Sequence, residues 1–456
     1  MSQAHRTIGG RCGSSKRTVN IGLFLTSICL LVACLSCPSE TVRPVAPSPG
    51  GSELTIFVTG NELGSLRPCG CSGGQLGGLE KRPAVFNGAP ASRRMIIDTG
   101  VLAAGDGEQD LIKFRIMFEA LGLLQYDAVC LTDQDQSIAE QLGLLVHPQR
   151  AFSVLKDGEN GSGVFTKRFP EQGITVNVAS FDPQLAPAEQ AARLFGGTNT
   201  PSTVDILILR HCSSDSLQDI IATCGGIDCV ICPPDGDELR LSSAPDARPL
   251  VVTVGRFGRH IGRLRVAVPA DGGELGFHFE TVPVAADLPD DPVLVHLYRQ
   301  YQQLVSEANL LESYPRVPLP DGLAFTGSED CRRCHEYEYG QWSTKAHADA
   351  LASLKEVGSD RDPECVICHV VGMEYEGGYL TEEATPHLKD VGCETCHGPG
   401  SEHAKSGGLK ATRQPQWSCL HCHTPDKSTG YAGHEKEYME KIVHWREPAA
   451  AGNVQR

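Results

Sequence analysis

Residues 331–423 repeat one pentapeptide four times: Cys331-Arg-Arg-Cys334-His335, Cys365-Val-Ile-Cys368-His369, Cys393-Glu-Thr-Cys396-His397 and Cys419-Leu-His-Cys422-His423. In a C-x-x-C-H pattern the two thiols are spaced to add to the two vinyl groups of one haem, and the histidine coordinates its iron. Chance predicts roughly 0.03 such pentapeptides in a chain of this Cys and His content. The repeat therefore predicts four covalently bound haem c groups, whose proximal iron ligands are His335, His369, His397 and His423.

Zinc ribbons and disulfide bonds are the other uses of a C-x-x-C pair. Neither a tetrahedral zinc site nor a disulfide needs a histidine directly after the second cysteine of every pair, so the pattern favours haem. The segment holds only about 23 residues per haem, too few to bury a core of ordinary side chains. We expect the porphyrins to supply most of the apolar interior, with the haems close enough for electron transfer.

The chain as a whole is long and acidic. Its 456 residues are 40% hydrophobic, which is enough for two or three cores and too much for one. The formal net charge is -16, and no cluster of Lys and Arg forms a basic stripe. This charge argues against nucleic acid as a partner and suits docking to a basic redox protein.

Residues 1–37 have the pattern of an export signal. A basic segment precedes a largely apolar stretch, residues 19–32, which is too short to span a bilayer comfortably. The sequence Leu31-Val-Ala-Cys34 resembles the bacterial lipobox and predicts a lipid anchor at Cys34, whereas ordinary cleavage near Cys37 is the alternative. Both place the protein outside the cytoplasm, on the periplasmic side of a bacterial membrane. Residues 38–52, rich in Pro, Ser and Gly, predict a flexible tether.

Short apolar runs alternate with helical stretches from residue 53 to about residue 285. The runs that predict buried strands are residues 54–58, 94–97, 128–131, 206–209 and 228–231. The predicted helices are residues 111–124 and 137–145, and residues 250–254 with 261–268 predict a pair of adjacent strands. Alternation of this kind indicates an α/β layered domain.

The order of motifs in this domain resembles the metallophosphoesterase domain of the 5′-nucleotidase family. The matching stretches are residues 57–68, 77–82, 96–100, 126–131, 226–231 and 256–264. The resemblance implies a four-layered fold and, in an active member, two metal ions held by Asp, His and Asn. At those ligand positions this chain has Asn61-Glu-Leu63, Val101, Asp133-Gln134 and Cys232-Pro-Pro-Asp235, and only His211 remains an imidazole. The domain is therefore a degenerate one, for which we do not expect phosphoesterase activity.

Cysteines occupy the same strand ends. One pair lies in the loop after the first predicted strand and another where the family has a histidine pair. One hypothesis is a metal site or a redox-active thiol site, and the alternative is structural disulfides formed in an oxidising compartment. The residues proposed for that site are Cys69, Cys71, Cys229 and Cys232, with Cys224 or His211 in addition.

The haem segment resembles the cytochrome c-554 family, tetrahaem proteins of ammonia-oxidising bacteria that accept electrons from hydroxylamine oxidoreductase. The matching stretches are residues 340–348, 351–355, 365–372, 376–379, 391–400 and 403. The resemblance implies that His347 and His403 are distal ligands of the first and third haems. It also implies a five-coordinate second haem at His369, open to a nitrogen-oxide ligand such as nitric oxide. His387 departs from the family pattern and is a candidate to close that open face.

The resemblance fades after Thr424, and the candidate distal ligands of the fourth haem are His434 and His444. His421, inside the fourth pentapeptide, is expected to be exposed. Residues 286–320 predict a bridging helix followed by a proline-rich linker, because apolar residues recur at helical spacing before Pro315 and Pro320. We therefore expect a mainly α-helical tetrahaem domain at residues 321–446 and a tail at 447–456.

Three functions are compatible with this organisation. The leading interpretation is a multihaem c-type cytochrome that transfers electrons between periplasmic or membrane redox proteins, since the spare histidines outnumber the four irons. The second is a redox enzyme that acts on a nitrogen oxide at one five-coordinate haem. The third assigns the N-terminal domain the role of a binding module that docks the cytochrome.

Overall fold

A computed structural model describes residues 52–68, 74–146, 151–155, 163–195, 202–270, 272–320, 322–413, 415 and 419–446. The predicted export signal with Cys34, the tether up to residue 51, the tail and the pair Cys69 and Cys71 lie outside these residues. Within the described ranges, no helix is both long enough and apolar enough to cross a membrane.

The strands of the described residues form two six-stranded sheets. The first sheet contains, in spatial order, β12 (Gly276–Pro283), β11 (His260–Val268), β1 (Ser52–Thr59), β2 (Arg94–Asp98), β3 (Ala128–Cys130) and β4 (Ser153–Leu155). The second contains β5 (Val164–Phe169), β6 (Ile174–Phe181), β7 (Thr203–Leu209), β8 (Cys229–Cys232), β10 (Leu250–Thr253) and β9 (Arg240–Leu241).

Strand β1 shows why these runs are continuously apolar. Successive side chains of a strand point to opposite faces, so Leu54, Ile56 and Val58 face the core between the two sheets. Phe57 points to the other face and packs among helical side chains. Both faces of the sheet are covered, and a strand buried on both faces needs apolar residues at every position.

Helices cover the outer face of each sheet. The first sheet packs against α2 (Glu108–Leu123) and α6 (Pro292–Ala308) in one hydrophobic cluster. The second packs against α4 (Ala188–Leu194) and α5 (Ser214–Thr223) in another. The order helix, sheet, sheet, helix confirms the predicted α/β layered fold.

One predicted strand pairing is wrong. β10 and β11 were expected to be neighbours, but β10 lies parallel to β8 in the second sheet and β11 lies antiparallel to β1 in the first. Residues 254–259 carry the chain from the second sheet to the first, so the two strands are consecutive in sequence but pair within different sheets. The predicted helix at residues 137–145 also begins earlier, as α3 (Asp133–Gln141), because Thr132 caps it by accepting a hydrogen bond from the Asp135 amide at 3.1 Å.

The remaining helices are short. They are α1 (Arg82–Phe86), α7 (Leu310–Ser313), α8 (Ser328–Arg332), α9 (Glu336–Trp342), α10 (Ala350–Glu356), α11 (Pro363–His369), α12 (Cys393–His397), α13 (Ser401–Lys405), α14 (Cys419–Cys422) and α15 (Glu435–Ile442). Single 3₁₀ turns span Leu79–Lys81, Ala91–Arg93, Leu144–Val146, Ala346–Asp349 and Pro386–Leu388. The described residues after 322 are thus mainly helical, as predicted, and they share one small hydrophobic cluster.

Candidate functional site

Each C-x-x-C-H motif lies on a single helical turn. The second, third and fourth motifs lie on α11, α12 and α14, and the first starts in the last turn of α8. In the first motif the His335 amide donates to the Cys331 carbonyl at 3.0 Å, and the His423 amide of the fourth motif donates to the Cys419 carbonyl at 2.8 Å. Residues three and four positions apart lie on one face of a helix, so both sulfurs and the imidazole of each motif face the same side.

The four motifs contact each other through their sulfur atoms, which in the haem-loaded protein would be the thioether sulfurs. The side chains of Cys331 and Cys393 lie in hydrogen-bonding contact, which makes the first and third motifs neighbours. Cys368 and Cys422 are in the same relation, so the second and fourth motifs are neighbours as well. Cys396 of the third motif also lies close enough to Cys419 of the fourth for the two side chains to interact electrostatically. The four motifs therefore form one continuous group.

Three of the proximal histidines face a second imidazole. Two imidazoles that bind one metal ion from opposite sides, at the roughly 2 Å typical of metal–imidazole bonds, have ring centres about 6 Å apart. The separations between ring centres match this value: 6.0 Å for His335 and His403, 6.4 Å for His423 and His347, and 6.3 Å for His397 and His444. With haem attached at the first, fourth and third motifs, each pair would supply the two histidine ligands of one iron.

Hydrogen bonds at Nδ1 orient several of these rings. Nδ1 lies 2.7 Å from the Ala350 carbonyl in His369, 2.7 Å from the Lys410 carbonyl in His403 and 2.9 Å from the Ile442 carbonyl in His444. A carbonyl only accepts, so Nδ1 carries the proton and donates it, which leaves the lone pair of Nε2 for a metal. This tautomer is the one an iron ligand needs.

Burial keeps the imidazoles neutral. Desolvation lowers the pKa of His347, His369, His397 and His423, and neighbouring imidazoles lower the pKa of His347 and His397 further. Metal ions bind the neutral form of imidazole. Together with the cysteine geometry, this donor set fits covalently attached haem.

The distal candidates are distributed differently from the expectation. His347 was expected on the first or third haem, but its ring lies beside His423 of the fourth. His444 was expected on the fourth haem, but it lies beside His397 of the third. The reason is that both contacts join segments far apart in sequence, whose approach depends on the tertiary fold. His403, beside His335, lies at one of its two expected haems.

The other two candidates have surface positions. His434 is exposed, and its Nδ1 lies 3.0 Å from a carboxylate oxygen of Glu437. His387 is also exposed, and its ring lies against Gly327, where an added Cβ would come within 3.3 Å of the His387 Cδ2 atom. The structure thus puts His387 beside the loop that leads into the first motif. His421 is exposed, as expected.

Sequence reasoning missed Glu394, which lies between the cysteines of the third motif. The residue is 4% exposed, and its carboxylate accepts hydrogen bonds from the amides of Gly327 and Gly400, both at 2.7 Å, and of Thr326 at 3.0 Å. It ties the segment before the first motif to the segment after the third. Glutamate side chains are mostly exposed in proteins, and nothing in the sequence around Glu394 indicated that this one is buried and joins two segments.

A buried polar network occupies the strand ends where the resemblance implies metal ligands. Glu62 and Arg82 form an ion pair, both almost fully buried. Arg82 Nη1 donates to the Tyr126 hydroxyl at 3.0 Å, and Thr59 Oγ1 donates to Asp98 Oδ2 at 2.6 Å. Desolvation, with a smaller contribution from Glu62, raises the pKa of Asp98 to about 7. A guanidinium thus supplies the positive charge at this site, where the resemblance implies metal ions.

The loops around this network keep an unusual backbone. Asn61, Leu63 and Val101 have positive φ angles of 57°, 51° and 59°, a region that β-branched residues such as valine rarely adopt. Backbone hydrogen bonds join the loop after β1 to the loop after β2. The Asn61 amide donates to the Gly100 carbonyl at 2.7 Å, and the Leu63 amide donates to the Val101 carbonyl at 3.0 Å. The ligand types are replaced, but a strained loop geometry of the kind found at functional sites is present.

The proposed cysteine site requires a correction. Cys232 is bonded to Cys212 in a disulfide, which is the alternative given for this site, although Cys212 was not among the residues named for it. Cys229 lies on the opposite face of β8, in the core between the sheets, where burial raises the pKa of its thiol to about 12. Strand alternation therefore prevents Cys229 and Cys232 from converging on one ion. His211 is exposed beside Asp182, at 3.0 Å.

The comparison with known proteins agrees with the C-terminal resemblance. Residues 330–398 match the family described as cytochrome c554 and c-prime. Cytochrome c-554 of Nitrosomonas europaea is 39% identical over 102 residues, which cover 18% of this chain and 43% of that protein. The chain thus spans less than half the length of this curated relative. The predicted resemblance of the haem segment is confirmed.

The solved structures to which the chain is similar include a phosphoesterase and a 5′-nucleotidase precursor. The calcineurin-like phosphoesterase YfkN of Bacillus subtilis is 15% identical, with 57% of this chain and 99% of that chain covered and a TM-score of 0.44. A 5′-nucleotidase precursor of Thermus thermophilus is 16% identical, with 67% and 68% covered and a TM-score of 0.43.

Proposed function

We propose that this chain is an extracytoplasmic cytochrome that carries four covalently bound haem c groups and transfers electrons between periplasmic or membrane redox proteins. The observation that carries the proposal is the set of three imidazole pairs with ring centres 6.0 to 6.4 Å apart. Iron with two histidine ligands is saturated, so it exchanges electrons and does not bind a substrate.

The contacts between motifs support an order for electron passage. The first motif adjoins the third, the third adjoins the fourth, and the fourth adjoins the second. Haems attached at these positions would form a chain with the first and second haems at its ends. The nitrogen-oxide reaction at the second haem stays a prediction of the family resemblance, and electron transfer does not depend on it.

Counting haems tests the proposal. The full chain is produced in a host that attaches c-type haem, and intact mass and the reduced α band are measured. We expect four haems per chain, and three in a variant with Cys419→Ser and Cys422→Ser. Cys224→Ser, which changes a buried cysteine outside the motifs, is the matched control and should keep four. A colourless protein, or one with no added mass, would refute the proposal.

A lipid anchor at Cys34 is part of the same proposal and rests on the lipobox-like sequence at residues 31–34. We expect the wild-type chain in the membrane fraction of the producing cells, and a Cys34→Ser variant to lose acylation. Mass spectrometry of the N-terminal peptide decides between the anchor and ordinary cleavage near Cys37. An unmodified peptide that begins after Cys37 would exclude the anchor.

A further inference from the structure

Asp362 is the N-cap residue of α11, the helix that carries the second haem motif. Its carboxylate caps α11 by accepting a hydrogen bond from the Glu364 amide at 3.0 Å, and its carbonyl accepts from the amides of Cys365 and Val366 at 3.0 and 2.9 Å. Asp362 is buried, with 7% of its surface exposed. A buried carboxylate needs strong hydrogen-bond donors, and a capping residue needs a fixed orientation.

Those donors come from the N-terminal α/β domain and its bridging helix. Tyr301 of α6 donates its hydroxyl proton to Asp362 Oδ2 at 2.8 Å, and Gln109 of α2 donates from Nε2 to Asp362 Oδ1 at 2.8 Å. Gln109 Nε2 also lies 2.9 Å from the Tyr301 hydroxyl, so the three side chains form one closed group. Tyr301 is 2% exposed and belongs to the core of the N-terminal domain.

A second contact adds charge at the same helix turn. Lys113, four residues after Gln109 on α2, forms an ion pair with Glu364, which directly precedes Cys365. The lysine is 8% exposed, and buried charges are screened weakly by salt. One face of α2 therefore presents an amide and an ammonium group to the first turn of the haem helix.

The same domain also holds the loop that follows the fourth motif. Gln75 Nε2 donates to the Lys427 carbonyl at 2.9 Å, and Arg259 pairs with Asp426 at 2.9 Å. Ser428 directly follows Lys427, and its Oγ lies 3.0 Å from Nδ1 of His423, the proximal ligand of the fourth haem. The N-terminal domain thus contacts the loop that follows the fourth haem motif and the helix that carries the second haem motif.

We propose that Tyr301, Gln109 and Lys113 are positioning residues of the second haem, which fix α11 and tune the reduction potential of the iron at His369. This inference rests on the proposed cytochrome function and gives the N-terminal domain a role within it. Hydrogen bonds and charges around a haem set its potential, because they favour one oxidation state over the other. The donors to Asp362 and the Lys113 ammonium offset negative charge near this haem, and their loss should stabilise ferric iron and lower its potential.

The test uses the haem-loaded full chain. Potentiometric titration, followed by visible and electron paramagnetic resonance spectra, resolves the four midpoints in wild type and in the variants Tyr301→Phe and Lys113→Met. The component that is absent from a Cys365→Ser, Cys368→Ser variant identifies the second haem. The matched controls are Tyr126→Phe, a buried tyrosine of the other polar network, and Lys167→Met, which removes an ion pair with Asp127.

We expect both test variants to lower the midpoint of the second haem beyond the spread of the controls, while the other three midpoints shift less. Unchanged midpoints, or equal shifts in all four haems, would overturn the inference. Haem count and spin state are measured on every sample, so a protein without four haems points to failure of the proposed function. If Tyr301→Phe unfolds, Lys113→Met decides the question, because its partner Glu364 is half-exposed and the loss leaves no buried charge unpaired.

Discussion

The N-terminal and C-terminal parts of this chain are held together by different means. The core between the two sheets contains 23 buried residues of the described chain, whereas the haem segment has a cluster of nine, one of which, Leu311, precedes that segment. The first part buries enough apolar surface to fold through its own side chains. The second part buries much less apolar surface, so under the proposed function we expect bound haem to supply most of its core.

Withholding haem should change the two parts of the chain most unequally. Produced without haem attachment, the full chain should keep the strands of the two sheets protected from amide hydrogen exchange and lose protection in the helices of the haem segment, because the small hydrophobic cluster there cannot offset the ordering entropy of that segment. Exchange measured by mass spectrometry on the apo and haem-loaded chains makes the test. Equal protection of the haem segment in both forms would contradict the difference drawn between the two parts.

The buried ion pair offers the next largest effect, within the N-terminal part alone. Arg82→Met leaves Glu62 and Asp98 buried without a cation, which should cost on the order of 3–5 kcal/mol of unfolding free energy. The control is the double variant Arg82→Met, Glu62→Leu, which removes the second charge and should recover much of that loss. Chemical denaturation followed by far-ultraviolet circular dichroism measures both. Haem content should stay at its wild-type value in each variant.

The sequence predicted those features that depend on local residue patterns, and it did not predict contacts between residues far apart in the chain. Strands such as β1 were predictable because burial on both faces leaves an uninterrupted apolar run. The haem motifs were predictable because the spacing of their thiols fits the two vinyl groups of one haem. β6 was missed because polar side chains such as Asn177 interrupt its apolar pattern. The pairing of His347 with His423 was beyond reach, because 76 positions separate them and only the fold brings them together.

The same limit applies to the polar network. Glu62, Arg82 and Asp98 are charged residues whose types predict surface positions, and their near-complete burial depends on contacts between separate loops. The resemblance did locate the strand ends where they meet. The resemblance also identified which metal-ligand positions carry other residue types. It did not indicate that the positive charge at this site comes from Arg82.

The pH dependence of stability should show a smaller effect, which arises in the N-terminal part. The folded-state pKa of Asp98 is raised to about 7, above its unfolded value, so the folded chain binds the proton more tightly. This contribution to stability is fully present below the unfolded pKa and is lost as the pH rises through about 7. Asp98→Asn should flatten the slope of unfolding free energy between roughly pH 4 and pH 7. An unchanged slope in denaturant titrations across that range would show that Asp98 does not titrate as described.

The smallest effect should be confined to one haem. His403 faces His335 across 6.0 Å, so His403→Ala should leave the first haem with one protein ligand and add a high-spin ferric component of about a quarter of the total iron. His434→Ala is the matched control, because His434 is exposed beside Glu437 and faces no proximal histidine in the described pairs. Electron paramagnetic resonance of the ferric proteins distinguishes the two. If His434→Ala produced the high-spin component and His403→Ala did not, the ligand assignment of the first haem would be wrong, while the covalent attachment of the haems would stand.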